Sequence, residues 1–394
     1  MKLEYNIPQG CTNSLPWGFS TPTICLWEPI NIEISLEDDD MDMVGLETRL
    51  RLIGAIHLDR YQSVVRHGTV EFTGVHVHTD EILNISKSVV LKTRRTSTTI
   101  DLTSLGVDVS QLPSSLDIVG HSSRDEDQLL STEAPMQKLS VRYRLSVETP
   151  SKHGRKKHSQ RELRVLGTSL SQRECRLEVA MLWPKAGYSD TLSLQQSTKH
   201  LQFLKLPCSC PPAPRSLVVD VLSYEPFIIQ QQTEFATAKI VLGLKYSLTS
   251  HEQGVPSYPF MSASWTLQST TEMLNPPFNH QETSIKLHDA VILSGAKHKI
   301  TSSNWHQAKS EADEVEWTDK QELCLAAPIR RFFAPTFFSD KLQHTYNLKL
   351  KMCSRLPGGI FGHRTQSMEF NLPVTVVNEA PGYGSDQSPP GYEC

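Results

Sequence analysis

The sequence has little of what marks membrane-spanning, secreted or nucleic-acid-binding proteins. No stretch approaches the roughly 20 apolar residues that a bilayer-spanning helix needs. The opening residues MKLEYNIPQG lack the charged-then-apolar pattern of a secretory signal. The formal net charge is −4 and the pI is about 6.4, so the chain as a whole does not attract nucleic acid. We therefore expect a cytoplasmic protein with no nucleic-acid partner.

Cysteines and catalytic signatures are sparse as well. The eight cysteines are too scattered for a disulfide framework in a chain of 394 residues. Cys208 and Cys210 form the only close pair, and no second Cys/His pair follows at zinc-finger spacing. The G-x-S-x-G, G-x-x-x-x-G-K-[ST], H-E-x-x-H and G-x-G-x-x-G motifs are missing too. These absences predict reduced thiols, no metal, no cofactor and a binding protein rather than an enzyme.

Strict alternation of apolar and polar residues is the strongest pattern that the sequence does contain. It runs through Ile30–Leu36, Leu139–Val147, Tyr346–Met352 and Phe370–Val376, and such alternation is typical of strands with one face on a core. No segment longer than about ten residues has helical periodicity, and the 24 prolines are spread in places that would break helices. We predict an all-β protein made of antiparallel, immunoglobulin-like β-sandwiches, with the apolar members of these strands buried.

The length of the chain predicts two domains, because single hydrophobic cores stop growing near roughly 250–300 residues. Four prolines in the eight residues Pro207–Pro214 mark a stiff connector. We predict an N-terminal sandwich over 1–184, a linker over 185–214, a C-terminal sandwich over 215–377 and a disordered tail over 378–394. Polar stretches predict loops at 120–137, 149–160, 185–197, 249–260, 270–282 and 296–320.

Several motifs in the second half resemble the arrestin family. They are Pro335-Thr-Phe337, the Tyr346-Asn-Leu-Lys-Leu350 strand and the Phe370–Val376 strand, and in the first half Leu112-Pro-Ser-Ser-Leu116 followed by Leu139–Val147 is similar. The resemblance covers 210–394 and 105–150. The family's early Pro-Gly-Asp turn is missing, and 57–100 match nothing in the family. The chain looks like a fungal-type α-arrestin, which implies two arrestin-like sandwiches.

A complete Pro-Pro-x-Tyr motif, Pro389-Pro390-Gly391-Tyr392, stands in the predicted tail. The prolines favour the polyproline II conformation that lies in the aromatic groove of a WW domain, and Tyr392 would fill a separate pocket. Such a short pattern also arises by chance. Together with the resemblance, it implies an adaptor that links a membrane transporter or receptor to a WW-domain HECT-type ubiquitin ligase. Ubiquitination and endocytosis would follow, with recruitment to the plasma membrane or endosomes.

A basic patch is predicted around the loop after the Leu139–Val147 strand. It combines outward-facing residues of that strand with the loop and comprises Arg142, Arg144, Lys152, Arg155, Lys156 and Lys157. Such a patch attracts anionic lipid headgroups or the acidic cytoplasmic tails of membrane proteins. A solvated hairpin loop without a ligand is the alternative interpretation.

Two other function classes stay open. His76-Val-His78 would place two imidazoles on one face of a strand, with Asp80 as a nearby carboxylate and His57 and His67 in the same region. That pattern is used by metal-dependent β-sandwich enzymes. A trafficking scaffold of the retromer type would share the fold and would not need the Pro-Pro-x-Tyr tail.

Overall fold

The computed structural model consists almost entirely of β-strands. It describes residues 2–6, 23–26, 29–66, 69–122, 136–150, 157–166, 189–193, 216–230, 235–249, 260–274, 284–288, 293–295, 297–300, 305–308, 314–328, 334–356 and 364–378. Two short 3-10 helices, Asp38–Met43 and Val109–Gln111, are the helices of these ranges, and none of the described segments forms a helix that could span a membrane. The all-β prediction is confirmed.

The first nine strands come from the N-terminal half. They are β1 Lys2–Asn6, β2 Thr23–Cys25, β3 Ile30–Ser35, β4 Glu47–Arg66, β5 Thr69–Val90, β6 Arg95–Ile100, β7 Leu116–Ser122, β8 Met136–Thr149 and β9 Lys157–Leu166. β4 and β5 form a long antiparallel hairpin. The other edge of β4 pairs with β8, so β4 lies between β5 and β8. This hairpin occupies most of 57–100, the range in which the sequence shows no resemblance to the family.

Fourteen further strands follow in the C-terminal half. They are β10 Ser189–Ser193, β11 Ser216–Tyr224, β12 Phe227–Gln230, β13 Phe235–Thr249, β14 Phe260–Leu274, β15 Ser284–His288, β16 Leu293–Ser294, β17 His298–Ile300, β18 His306–Ala308, β19 Glu314–Pro328, β20 Phe337–Phe338, β21 Leu342–Leu356, β22 Arg364–Val374 and β23 Val376–Asn378. The longest pairings join β13 to β19 and β14 to β21, all antiparallel.

The strands form three sheets. A three-stranded sheet has the order β1-β3-β6, and a seven-stranded sheet is built around β11, β13 and β19. The third sheet has thirteen strands and passes from the N-terminal half to the C-terminal half through the pairing of β7 with β15. The sheets enclose two hydrophobic clusters, consistent with the β-sandwich class.

The buried faces lie where the alternation predicts them. The apolar members of all four alternating segments are buried, including Ile32 and Ile34, Val141 and Tyr143, and Leu348 and Leu350. Each of these strands alternates between the core and solvent because successive side chains of a strand point to opposite faces.

The first hydrophobic cluster crosses the seam, our name for the junction of β7 with β15. It unites core residues of the N-terminal half with Met273, Leu287, Phe337 and Leu342 of the C-terminal half. Above this apolar contact, Lys341 Nζ lies 2.8 Å from an oxygen of Asp80 on β5. The two halves therefore share one core at the seam.

Some predicted loops are strands. β17, β18 and the first residues of β19 lie inside 296–320, and β10 lies inside 185–197, where it pairs with β11. In β19 the inward position opposite Leu244 is taken by Asp319, which is buried. Its carboxylate accepts hydrogen bonds from the Lys320 backbone N–H and the Gln321 side chain, both at 2.7 Å. A charged residue in a core position breaks the apolar alternation, which is why the sequence indicated a loop.

Candidate functional site

Arg142 and Arg144 lie on the outward face of β8. Their neighbours along the strand, Val141, Tyr143 and Leu145, are fully buried, so the two arginines point away from the core and are exposed. Arg144 Nη1 donates to Gln160 Oε1 of β9 at 3.4 Å, and Arg142 Nη1 is 4.0 Å from a Glu162 oxygen. The sequence therefore predicted their outward orientation correctly.

β4 adds two arginines to the same surface, which the sequence analysis missed. Arg49 Nε donates to Ser86 Oγ at 2.8 Å, and Arg51 Nη2 donates to Asn84 Oδ1 at 3.4 Å. We call the outward surface around Arg49, Arg51, Arg142 and Arg144 the arginine face. The alternation Arg49-Leu50-Arg51-Leu52 is the sequence signal that would have found the pair.

The partners of these arginines differ from those of lysines elsewhere in the protein. Lys239 pairs with Glu322 at 2.7 Å and Lys138 with Asp117 at 3.0 Å. Three of the four arginines of the face instead donate to the neutral groups of Ser86, Asn84 and Gln160. A neutral acceptor orients a guanidinium without cancelling its charge, so the face retains positive charge and donors for an anionic partner.

The floor of the arginine face is made of small residues. Ser140 and Ser146 of β8 are almost fully buried although they lie on the outward side with Arg142 and Arg144. Among the described residues, Ser140 Oγ and Arg51 Nε have no hydrogen-bond partner. Acidic residues border the face, including Glu148 opposite Arg49. The positive charge is thus concentrated in the centre of the face.

Most of the predicted loop and tail residues lie outside the described residues. This applies to Lys152, Arg155 and Lys156 of the basic patch, and to Pro389, Pro390 and Tyr392 of the Pro-Pro-x-Tyr motif. Lys157 is the first residue of β9 and pairs with Thr149. The structure therefore brings together only the strand part of the predicted patch.

The strand that precedes the tail is held firmly in the fold. β23 runs parallel to β12, and the Val376 N–H donates to Thr336 Oγ1 at 2.9 Å. The Phe227 N–H donates to the Thr375 carbonyl at 2.8 Å. Val376 and Val377 are buried. The residues after Asn378 thus continue from a fixed point at the edge of the seven-stranded sheet.

The predicted histidine pair lies at an irregularity of strand β5. In the pairing of β4 with β5, His78 is opposite Leu58 and His76 is opposite the next residue, Asp59, so Val77 is an extra residue in a β-bulge. The prediction that His76 and His78 share a face assumed uninterrupted alternation, and the bulge removes that basis. Within the described ranges, no group of three or more His, Cys, Asp or Glu side chains could hold a metal ion.

The other members of the predicted metal region have different partners. Asp80 accepts from Lys341 Nζ at 2.9 Å across the seam, and His57 Nδ1 is 3.0 Å from Thr79 Oγ1. His67 lies outside the described residues. Asp80 therefore serves the contact between the two halves of the protein.

A buried polar chain lies in the C-terminal half beside the first hydrophobic cluster, where the His344 ring stacks on Phe337. The Tyr346 hydroxyl donates to the Ala334 carbonyl and lies 2.9 Å from His344 Nε2, while His344 Nδ1 lies 2.7 Å from Thr271 Oγ1. Since the tyrosine proton is used on Ala334, Nε2 is the donor nitrogen and Nδ1 accepts from Thr271. Burial lowers the pKa of His344 to about 3, which keeps the imidazole neutral.

Comparison of the chain with models of known protein families gives no match, and a search among curated proteins finds none either. The resemblance to the arrestin family stays a prediction.

Proposed function

We propose that this protein is an α-arrestin-like adaptor that links a membrane transporter or receptor to a WW-domain HECT-type ubiquitin ligase, with two arrestin-like sandwiches as its body. The observation that carries the proposal is Pro389-Pro390-Gly391-Tyr392, which lies a short stretch of chain beyond the last described strand of a β-sheet body. Ubiquitination of the bound cargo then promotes its endocytosis.

The mechanism is tethering. Pro389 is eleven positions beyond Asn378 (389 − 378), and chain geometry limits this span to about 40 Å at roughly 3.6 Å per residue. A ligase bound at the motif is therefore held within a few tens of ångströms of the β body, which raises its effective concentration near a cargo docked there. No catalytic residue of this chain is required.

Cargo docking is assigned to the arginine face. Its central guanidiniums are oriented by neutral partners, and they can form paired hydrogen bonds to carboxylates of an acidic cytoplasmic tail or to anionic lipid headgroups. Docking on a sheet surface leaves the opposite, buried side of β8 unchanged. In this proposal the arginine face binds the cargo, and the motif in the tail binds the ligase.

The test is titration of WW domains with the full chain and with Tyr392→Ala. The variant should lose binding, because the tyrosine ring is an anchor that the prolines do not replace. Tyr383→Ala is the matched control, since Pro381-Gly-Tyr383 is an incomplete motif in the same tail. Equal binding by the wild type and Tyr392→Ala, or binding by neither, contradicts the ligase role.

A second comparison separates the adaptor from a retromer-type scaffold. Deletion of the last six residues removes the motif and leaves the described strands intact. The adaptor then loses cargo ubiquitination in cells while it still binds cargo. A scaffold keeps its trafficking activity after the deletion.

A further inference from the structure

A pocket with side chains of both charges lies at one end of the arginine face, where β8 ends. Its volume is about 610 Å³, which is large enough for a small molecule. The pocket is open to solvent, since most of the side chains around it are exposed. One guanidinium, two carboxylates and three hydroxyls are among the groups that line it, from Arg49, Glu47, Glu148, Thr48, Ser86 and Ser88.

Arg49 and Glu148 lie directly opposite each other on β4 and β8. Both point to the outward side of the sheet, because Leu50 and Val147, the neighbouring residues in the two strands, are buried. Opposite charges in such cross-strand positions are close enough to pair, with Cβ atoms about 4.5–5.5 Å apart. In the described part of the chain, however, no ion pair joins them, and Glu148 makes no hydrogen bond. The half-buried carboxylate of Glu148 is therefore available to a ligand.

The bonds to β5 explain why Arg49 and Glu148 stay apart. Arg49 Nε donates to Ser86 Oγ at 2.8 Å, and β5 flanks β4 on the side opposite β8, so the guanidinium is drawn away from Glu148. Glu47 accepts a hydrogen bond from the Ser88 hydroxyl, also on β5. The pocket thus holds a guanidinium and a carboxylate that do not neutralise each other.

These charges select the ligand. A guanidinium forms paired hydrogen bonds with a carboxylate or a phosphate, and a carboxylate accepts the N–H groups of an ammonium. A ligand with only negative charge is repelled by Glu47 and Glu148, and one with only positive charge is repelled by Arg49. A molecule that carries both charges a few ångströms apart satisfies both sides of the pocket.

We propose that this pocket binds small zwitterions, with the ligand's ammonium on Glu148 and its anionic group on Arg49. Free α-amino acids and phosphoethanolamine share this chemistry and differ in the anionic group. The pocket is open, so a substituent on the zwitterion extends into solvent. The site does not rest on the adaptor function, because Arg142 and Arg144, at the centre of the arginine face, do not line the pocket.

Glycine and O-phosphoethanolamine are the two probes, and their binding to the full-length protein is measured by ligand-observed NMR. We expect at least one of them to bind, and the tighter one identifies the preferred anionic group. Acetate, methylamine and inorganic phosphate carry charge of one sign only. Each should bind at least about 10-fold more weakly than the preferred zwitterion, since it leaves one charged group of the pocket without its hydrogen bonds.

Three variants test the placement. Arg49→Gln and Glu148→Gln each remove one charge while keeping a side chain of similar length, and each should weaken zwitterion binding about 10-fold or more. Arg144→Gln is the matched control, because it removes a charge from the arginine face outside the pocket and should bind zwitterions like the wild type. Circular dichroism verifies that each variant is folded.

The proposal is overturned if neither zwitterion binds the wild type, or if a probe with one charge binds as tightly as the zwitterions. Unchanged binding in Arg49→Gln or Glu148→Gln, or lost binding in Arg144→Gln, also overturns it. None of these results bears on the binding of WW domains, which Tyr392→Ala tests separately.

Discussion

Gly54 of β4 lies directly opposite Tyr143 of β8, and a Cβ added at Gly54 would come within 2.6 Å of Tyr143 Cε1. The tyrosine ring thus occupies the space that a side chain at Gly54 would need. Its hydroxyl donates to the Pro113 carbonyl at 2.7 Å, and burial raises the pKa of Tyr143 far above its ordinary value. The glycine therefore lets a large ring cross the core and bind the loop before β7.

Gly54→Ala should destabilise the protein strongly. The new methyl group overlaps the ring, so either the strands separate or Tyr143 shifts and loses its bond to Pro113. Overpacking and an unsatisfied buried carbonyl together cost about 2–5 kcal/mol of unfolding free energy, measured by urea denaturation. Gly243→Ala is the control, because the atoms nearest to its methyl would be those of the exposed Leu222 side chain, at 3.1 Å. Equal losses in the two variants would contradict this account.

The free energy of unfolding should decrease as the pH is lowered, because of His344. Its pKa is about 3 in the folded protein and about 6.5 when unfolded, so between these values the unfolded chain binds more protons. The stabilisation is complete above pH 6.5 and is lost as the pH falls toward 3, by up to about 1.4 kcal/mol per pH unit. His344→Gln should flatten this dependence between pH 7 and 5. An unchanged slope, matching that of the control His306→Gln, would show that His344 is not responsible.

Charge reversal on the arginine face should weaken binding of anionic partners. Arg142→Glu combined with Arg144→Glu replaces positive charge with negative charge at the centre of the face, and raised salt should mimic the effect because screening acts within about 8 Å at physiological salt. Binding to anionic vesicles and to an acidic peptide is measured separately. Lys239→Glu with Lys245→Glu makes the same charge change on β13 and should have little effect. Equal losses in both double variants would remove the face from the docking account.

The apolar contacts at the seam should contribute more to the free energy of unfolding than the ion pair between Asp80 and Lys341 does. Phe337→Ala removes a ring buried in the first cluster and should cost about 3–5 kcal/mol of unfolding free energy. Asp80→Asn breaks the partly exposed pair with Lys341 and should cost about 1 kcal/mol or less. Phe338→Ala, at the less buried neighbouring position, is the control for Phe337. A larger loss for Asp80→Asn than for Phe337→Ala would reverse this ranking.

The alternating pattern by itself determined the class of the fold and the buried face of its clearest strands. Ile32, Val141, Leu348 and Leu372 are buried because period-two alternation is a local property that each segment carries in full. The same pattern predicted the outward orientation of Arg142 and Arg144. The Pro-Pro-x-Tyr motif can likewise be identified from the sequence alone, since WW domains bind motifs of this kind as short extended segments.

Tertiary structure decided what depends on register and on distant partners. The pairing of β19 with β13 places Asp319 in a core position opposite Leu244, where hydrogen bonds from Lys320 and Gln321 satisfy its carboxylate. The bulge at Val77 changes the pairing of His76 and His78, and the ladder alone brings His121 to His288 from far along the chain. Gly54 acquires its role only from the ring of Tyr143 across the sheet. Local periodicity specifies which side of a strand is apolar, whereas partners, bulges and the shared core at the seam follow from how the whole sheet packs.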